Sequence, residues 1–293
     1  KDKSVVSREI RRNADARSGE YKDDLAHRKY LKRQAYKAKA RTFTPEVEAY
    51  VRDKLRLKYS PEQIAGAAKT NGDNCVSHER IYQFIWQDKR KKGTLYLDLR
   101  NRGRRYKKRS VIYDKRGTIP NRTDISLRPP EVEQRERFGD LEIDLIIGKN
   151  HKNAILTIND RATGLAKLCK LTGKDAEQLA VATIDCLKDW KPYLHTITSD
   201  NGKEFSSHQM IATELNIDFF FAKPFASWQR GSNENYNRLV RQYIPKKVDF
   251  DYVTHDYVKY VEQQLNNRPR KRFGYLSPNQ IVSKVWNTLE KSG

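Results

Sequence analysis

The segment Leu141-Glu142-Ile143-Asp144-Leu145-Ile146-Ile147-Gly148 embeds two carboxylates in an aliphatic run that ends at a glycine. A short apolar run bounded by turn residues reads as a buried strand. A carboxylate in such a strand is strongly disfavoured unless it is paired, protonated or bound to metal. Asp144, in the middle of the run, therefore demands a partner.

Two further strands, Ala154–Asp160 and residues 165–171, follow with turn residues between them, so the three form an antiparallel meander. Residues 175–190 have helical periodicity through Leu179, Ala180, Ile184 and Leu187, and residues 194–200 read as a strand ending at Asp200-Asn201-Gly202. A helix over His208–Leu215, a strand over 217–222 and a helix from about Ser232 complete a βββαβαβα order. This is the order of an RNase-H-like α/β core, a mixed sheet flanked by helices. Its first and fourth strands are neighbours, and its last helix passes across them.

Asp200 at a strand end and Glu234 within Gly231-Ser232-Asn233-Glu234-Asn235 add two carboxylates to Asp144. Taken alone, Asp200 is equally well a turn-forming residue before Asn-Gly. Three carboxylates that converge without compensating lysines repel one another, and hard divalent cations relieve that repulsion. The expected cofactor is a pair of Mg²⁺ or Mn²⁺ ions clamping an in-line phosphoryl displacement. The chain contains no convincing Ser-His or Cys-His nucleophile pair.

Charge divides the chain. The formal net charge is +22, of which +19 falls in residues 1–130 and +3 in residues 131–293. Residues 89–128 carry 15 basic side chains, among them Arg104, Arg105, Lys107 and Lys108, against Asp98, Asp114 and Asp124. Such a run is not expected in a core, and phosphate neutralisation with counterion release is its usual physical use. The expected partner is a polyanion.

Two helices in this basic half carry polar faces suited to a DNA groove. Residues 4–13 set Val6 and Ile10 on one face and Ser7, Arg8, Arg11 and Arg12 on the other. An arginine-rich surface helix without a groove to fill fits that pattern equally well. Ser60-Pro61-Glu62-Gln63 forms a capping box that opens a second helix, a turn at 71–74 follows, and 76–86 forms a third. There Ile81, Phe84 and Ile85 share one face, leaving Ser77, His78, Arg80 and Gln83 on the others. With an earlier helix opened by Thr44-Pro45-Glu46, these make the three-helix minimum of a helix-turn-helix module.

At 293 residues two or three domains are expected. Cys75, Cys169 and Cys186 are far apart, odd in number and without a C-x-x-C pair, which fits a reducing compartment and excludes a readable disulfide framework. No stretch approaches the ~20 apolar residues of a membrane span. Because the chain begins at Lys1 with a polar stretch, it is expected to lack a signal peptide and to be truncated at its start.

Thr198-Ser199-Asp200-Asn201-Gly202-x-Glu204-Phe205, followed by Ser227-Trp228-Gln229-Arg230-Gly231-Ser232-Asn233-Glu234-Asn235, resembles the DDE transposases of the insertion-sequence-thirty (IS30) family. The 33 residues between Asp200 and Glu234 match that family's spacing. The resemblance extends to residues 7–13, 59–66, 76–85, 265–270 and 276–278, nearly the whole chain. It departs where the family has Gly-His-Trp-Glu-Gly-Asp and this chain has Gly139-Asp140-Leu141-Glu142-Ile143-Asp144. Asp144 is assigned as the first catalytic aspartate because it alone lies deep in the apolar run, with Asp140 and Glu142, of the same strand parity, as competitors.

The resemblance implies an enzyme that binds the terminal inverted repeats of a bacterial insertion sequence and catalyses metal-dependent cleavage and strand transfer, with Asp144, Asp200 and Glu234 as catalytic metal ligands. Alternatives are an RNase-H-like nuclease that cuts without joining and a DNA-binding regulator with structural carboxylates. Trp228 is expected to stack on a terminal base and Arg230 to bind the scissile phosphate, although a tryptophan capping the core is an equally simple role. Asn201 and Asn233, flanking the acidic residues, are candidates for positioning water or phosphate, or for forming turns. The implied partners are double-stranded DNA, as element ends and target, and a second copy of the chain, with a cytoplasmic, nucleoid-associated location and no membrane. The implied domains are 1–40, the end of a first helix-turn-helix and a basic helical linker; 41–92, the second helix-turn-helix; 93–135, a basic linker; 136–270, the catalytic domain; and 271–293, a helical extension.

Overall fold

A computed structural model describes residues 2–36, 43–102, 119–149, 152–173, 175–224 and 226–289. The chain divides into two compact units, Lys1–Thr44 and Pro45–Gly293.

The first unit pairs α1 (Lys3–Asn13) with α2 (Asp23–Tyr36). Asp2 caps α1 by accepting from the Ser4 amide at 2.8 Å, and the buried Asn13 side chain accepts from Arg33 at 2.5 Å. Ser7, Arg8, Arg11 and Arg12 are exposed, and so are Val6 and Ile10. The polar face expected of this helix is therefore presented to solvent.

The second unit opens with α3 (Pro45–Arg56), α4 (Pro61–Asn71) and α5 (His78–Arg90). Both halves of the expected capping box are made at α4: the Gln63 amide donates to Ser60 Oγ and the Ser60 amide to Gln63 Oε1. Val47, Val51, Leu55, Ile64, Ile81 and Ile85 on these helices are buried with near-zero exposure. These helices dock on the rest of the unit through backbone carbonyls: Gln63 Nε2 donates to Pro269 O at 2.7 Å and Tyr243 Oη to Leu57 O at 3.1 Å.

Next come β1 (Thr123–Asp124), α6 (Glu131–Gln134), β2 (Asp140–Ile147), β3 (Ala154–Asp160), β4 (Ala166–Leu171), α7 (Ala176–Leu187), β5 (Thr196–Ser199), α8 (His208–Leu215), β6 (Asp218–Phe221), α9 (Gly231–Tyr243), α10 (His255–Asn266) and α11 (Pro278–Leu289). The sheet order is β1-β6-β5-β2-β3-β4. Strands β2, β3 and β4 form the antiparallel meander, and β5 and β6 run parallel to β2 after their crossover helices. That is an RNase-H-like topology.

Alternation along the strands feeds two cores. Leu141, Ile143 and Leu145 pack with Leu179 of α7 and Ile211 of α8, whereas Ile146, Ile155 and Leu168 pack with Leu239 of α9 and Val261 of α10. All of β3 is buried, as a central strand between two layers must be. Gly139, at φ +104°, immediately precedes β2 where a β-carbon would collide with the Tyr193 carbonyl oxygen.

Strand β1 was not expected, because two residues show no periodicity. It adds a parallel edge to β6 within a stretch read as linker. Ile119, Ile125 and Val132 around it are buried, and so is Arg128, one of the basic residues not expected in a core. Arg128 is accommodated by an ion pair with Glu133 and a 2.9 Å hydrogen bond to Thr198 Oγ1. The three cysteines are free. Among the described residues no helix is long and apolar enough to cross a membrane.

Candidate active site

Asp140, Glu142 and Asp144 share one face of β2, and their surroundings separate their roles. Asp140 accepts from Arg137 Nε at 2.8 Å, Arg137 Nη2 at 3.1 Å and Thr196 Oγ1 at 2.8 Å. Glu142, fully buried, pairs with the equally buried Arg161 and accepts the Asn233 amide at 2.8 Å through its other oxygen. Both are therefore more deeply buried than Asp144, contrary to expectation, and both are committed to structural partners.

Asp144 retains 23% side-chain exposure and faces Asp200, which sits just beyond the end of the neighbouring parallel strand β5. One Asp144 oxygen accepts from Asn237 Nδ2 at 2.8 Å, and the other from the Leu145 amide at 2.8 Å. Asp200 accepts the Gly202 amide at 2.9 Å, forming the turn that Asn-Gly requires. Burial raises the Asp144 carboxyl to about 6; Arg230 opposes the rise and the negative charge of Asp200 adds to it.

Arg230 stands between the two aspartates, Nη1 at 3.6 Å from Asp144 Oδ2 and Nη2 at 3.5 Å from Asp200 Oδ2. The carboxylates do have compensation, from an arginine rather than a lysine. Glu234 lies in the first turn of α9 but is 46% exposed and paired with Arg238 one turn on. Two of the expected three carboxylates thus come together, and among the described residues no cluster of three or more acidic, histidine or cysteine side chains stands ready for a metal. In ligand type, a hard-oxygen pair with one member desolvated fits a divalent cation.

Asn237 was missed in the sequence. It is held by Thr157, whose hydroxyl bonds to Asn237 Oδ1 at 2.9 Å and to the Asp144 carbonyl at 3.1 Å. Its position three residues after Glu234, on the same side of a helix, was the available signal. Asn201 is fixed by the Ala222 carbonyl at 2.5 Å and by Arg122. Asn233 is buried, its side-chain amide without a partner among the described residues.

Ser77 caps α5 by accepting the Arg80 amide at 3.3 Å through its hydroxyl oxygen, and it remains exposed beside His78. Arg104, Arg105, Lys107, Lys108 and the Trp228 side chain lie outside the described residues.

No protein-family model matches the chain. It is 53% identical over 98% of its length, and 88% of the relative's, to the transposase for insertion sequence element IS4351 of Bacteroides fragilis. It is 32% identical to the transposase for IS1086 of Cupriavidus metallidurans, covering 96% of this chain and 86% of that one. To the transposase InsI for IS30A of Escherichia coli it is 31% identical, covering 96% and 76%. The crystal structure of the catalytic core domain of BIV integrase aligns at 18% identity and TM-score 0.40, over 52% of this chain and 97% of that one.

Proposed function

Because the chain belongs to the IS30 family of DDE transposases, we propose that it binds the inverted-repeat ends of its element and catalyses their cleavage and transfer to target DNA at Asp144, Asp200 and Glu234. The observation that carries this reading is the meeting of Asp144 and Asp200 across adjacent parallel strands, 3.5–3.6 Å from one guanidinium. Two acidic groups held together at a partly open strand end form a site that a cation and a phosphodiester complete.

In the first step a water oxygen bonds to phosphorus and the bond to the 3′ oxygen breaks, freeing a 3′-hydroxyl. In the second that hydroxyl displaces a 3′ oxygen of the target strand. Asp144, Asp200 and Glu234 would hold Mg²⁺ or Mn²⁺, which when bound would activate the attacking oxygen and stabilise the leaving one. Asn237 fixes the direction of the Asp144 carboxylate, and Arg230 supplies positive charge beside the phosphate. Helices α4 and α5 serve as a helix-turn-helix, with Ser77, His78 and Arg80 at the groove, and α1 presents Ser7, Arg8, Arg11 and Arg12 to DNA.

A strand-transfer assay on labelled element ends with Mg²⁺ or Mn²⁺ tests the assignment against Asp144→Asn and Asp200→Asn. Joined products should disappear from both variants while DNA binding persists, and surviving activity would refute the assignment. Cutting without joining by the wild type would make the protein a nuclease, and specific binding without chemistry a regulator.

A further inference from the structure

A cavity of about 360 Å³ opens beside the first turns of α9, where Ser232, Asn235 and Tyr236 line it. Arg100, Arg135, Arg270, Lys271 and Arg272 also line it, and no carboxylate among the described residues does. Lys271 has a carboxylate partner, Glu62 at 2.6 Å. Three of the arginines instead donate to neutral oxygens: Arg100 to Asn235 Oδ1 at 3.0 Å, Arg270 to Leu265 O at 2.9 Å and Arg272 to Ala162 O at 3.3 Å. Such bonds orient a guanidinium without cancelling its charge.

Two hydroxyls share the cavity. Tyr236 is 3% exposed, and neither its hydroxyl nor that of Ser232 has a hydrogen-bond partner among the described residues. A buried hydroxyl without a partner is costly and needs an explanation. The amino-terminal end of the 13-residue α9 adds partial positive charge to the same wall. Burial, reinforced by the field of Arg268, presses the Arg270 guanidinium down to about 10, a strain that an anion would relieve.

We propose that this cavity is a phosphate-binding subsite that seats a backbone phosphate of the DNA strand leading to the carboxylate pair. The choice of DNA over a free anion rests on the function proposed above and on position. Ser232 and Asn235 flank Glu234, the third proposed metal ligand, in the first turns of α9, so the cavity lies at the end of the helix that carries that residue.

The test measures duplex affinity by fluorescence anisotropy across a KCl series, with wild type, Arg135→Gln, Arg272→Gln and Tyr236→Phe, and exposed Lys188→Gln as control. Each arginine change should weaken binding and shallow the salt slope by about 0.9, the loss of one phosphate contact. Tyr236→Phe should weaken binding several-fold with the slope unchanged, and the control should leave both unaltered. Thermal melts establish that each variant is folded, and the exposed Arg135 keeps the test open if Arg272→Gln is not. Wild-type slopes in both arginine variants would overturn the proposal. So would inorganic phosphate that raises the Tm of wild type but not of Arg135→Gln while DNA slopes stay equal, since that marks a free-phosphate site. Strand transfer is not read, so failure of the catalytic assignment leaves this result distinct.

Discussion

Arg230 decides how the two aspartates behave. A guanidinium 3.5–3.6 Å from both holds together charges that would otherwise repel, and it does so where a divalent cation would bind. Removing that guanidinium should make the site more attractive to a metal: Arg230→Gln is expected to bind Mn²⁺ at least roughly tenfold more tightly without DNA, by electron paramagnetic resonance titration, while losing strand transfer. Unchanged Mn²⁺ affinity would mean that Arg230 does not compete for the pair. Asp160, at the end of β3, offers a second titration. Its buried carboxylate accepts from the Gly139 and Thr163 amides, and burial raises it from 3.8 to about 6 against those bonds. Between those values the native state binds more protons than the unfolded one, so stability should fall as pH rises from about 4 to about 6, by at most about 1.4 kcal/mol per pH unit from this group, and level off above. Urea titrations of wild type and Asp160→Asn across that window check it, since the variant should lack this slope; parallel curves would contradict the shift.

Between elements, the Glu142 carboxylate joins β2, the Arg161 loop and the first turn of α9, so it sets where the helix bearing Glu234 and Asn237 begins. Glu142→Gln keeps an acceptor but removes the charge opposite a buried arginine, and a loss of about 3–5 kcal/mol is expected in denaturant unfolding. Strand transfer should fall more than DNA binding, and a variant as stable as wild type would deny the pair its role. Helix α5 makes a different demand: Arg80→Ala should narrow the gap between element-end and random duplexes by about 1–3 kcal/mol in competition binding, and an unchanged ratio would remove α5 as a reader. The elements most legible in the sequence were those with strong periodicity and clear stops. Ala154–Asp160 and His208–Leu215 fall where apolar spacing places them, and Asp144 and Asp200 were visible as a carboxylate in an aliphatic run and one at a strand end. What stayed hidden depends on the direction of side chains. Spacing does not reveal that Glu142 meets Arg161 or that Arg230 fills the gap between aspartates, whereas the i,i+4 step from Glu234 to Arg238 was open to reading as a helical ion pair. Strand β1 is too short to carry a pattern and exists because the edge of β6 is there to pair with it.

At the scale of the molecule, the separation of charge implies a division of labour. Most of the +22 lies in the first 130 residues, while the part that carries Asp144 and Asp200 is nearly balanced, so the proposed function would draw its long-range attraction to DNA mainly from the first part and its chemistry from the second. The described residues of one chain bring together one such carboxylate pair, whereas the proposed reaction joins two element ends to a target. The simplest assembly that serves both ends is a two-fold pair of chains, each acting on one end. Light scattering on paired-end DNA should then give two chains per pair of ends. Mixing equal amounts of wild type and Asp144→Asn should reduce concerted joining of both ends to about one quarter, because random pairing leaves that fraction of complexes with two intact sites. Joining of a single end should fall only to about one half in the same mixture, since every intact chain still acts on its own end. If both products instead fell to one half together, one active site would be serving both ends in turn, and a complex containing a single chain would be sufficient for the reaction.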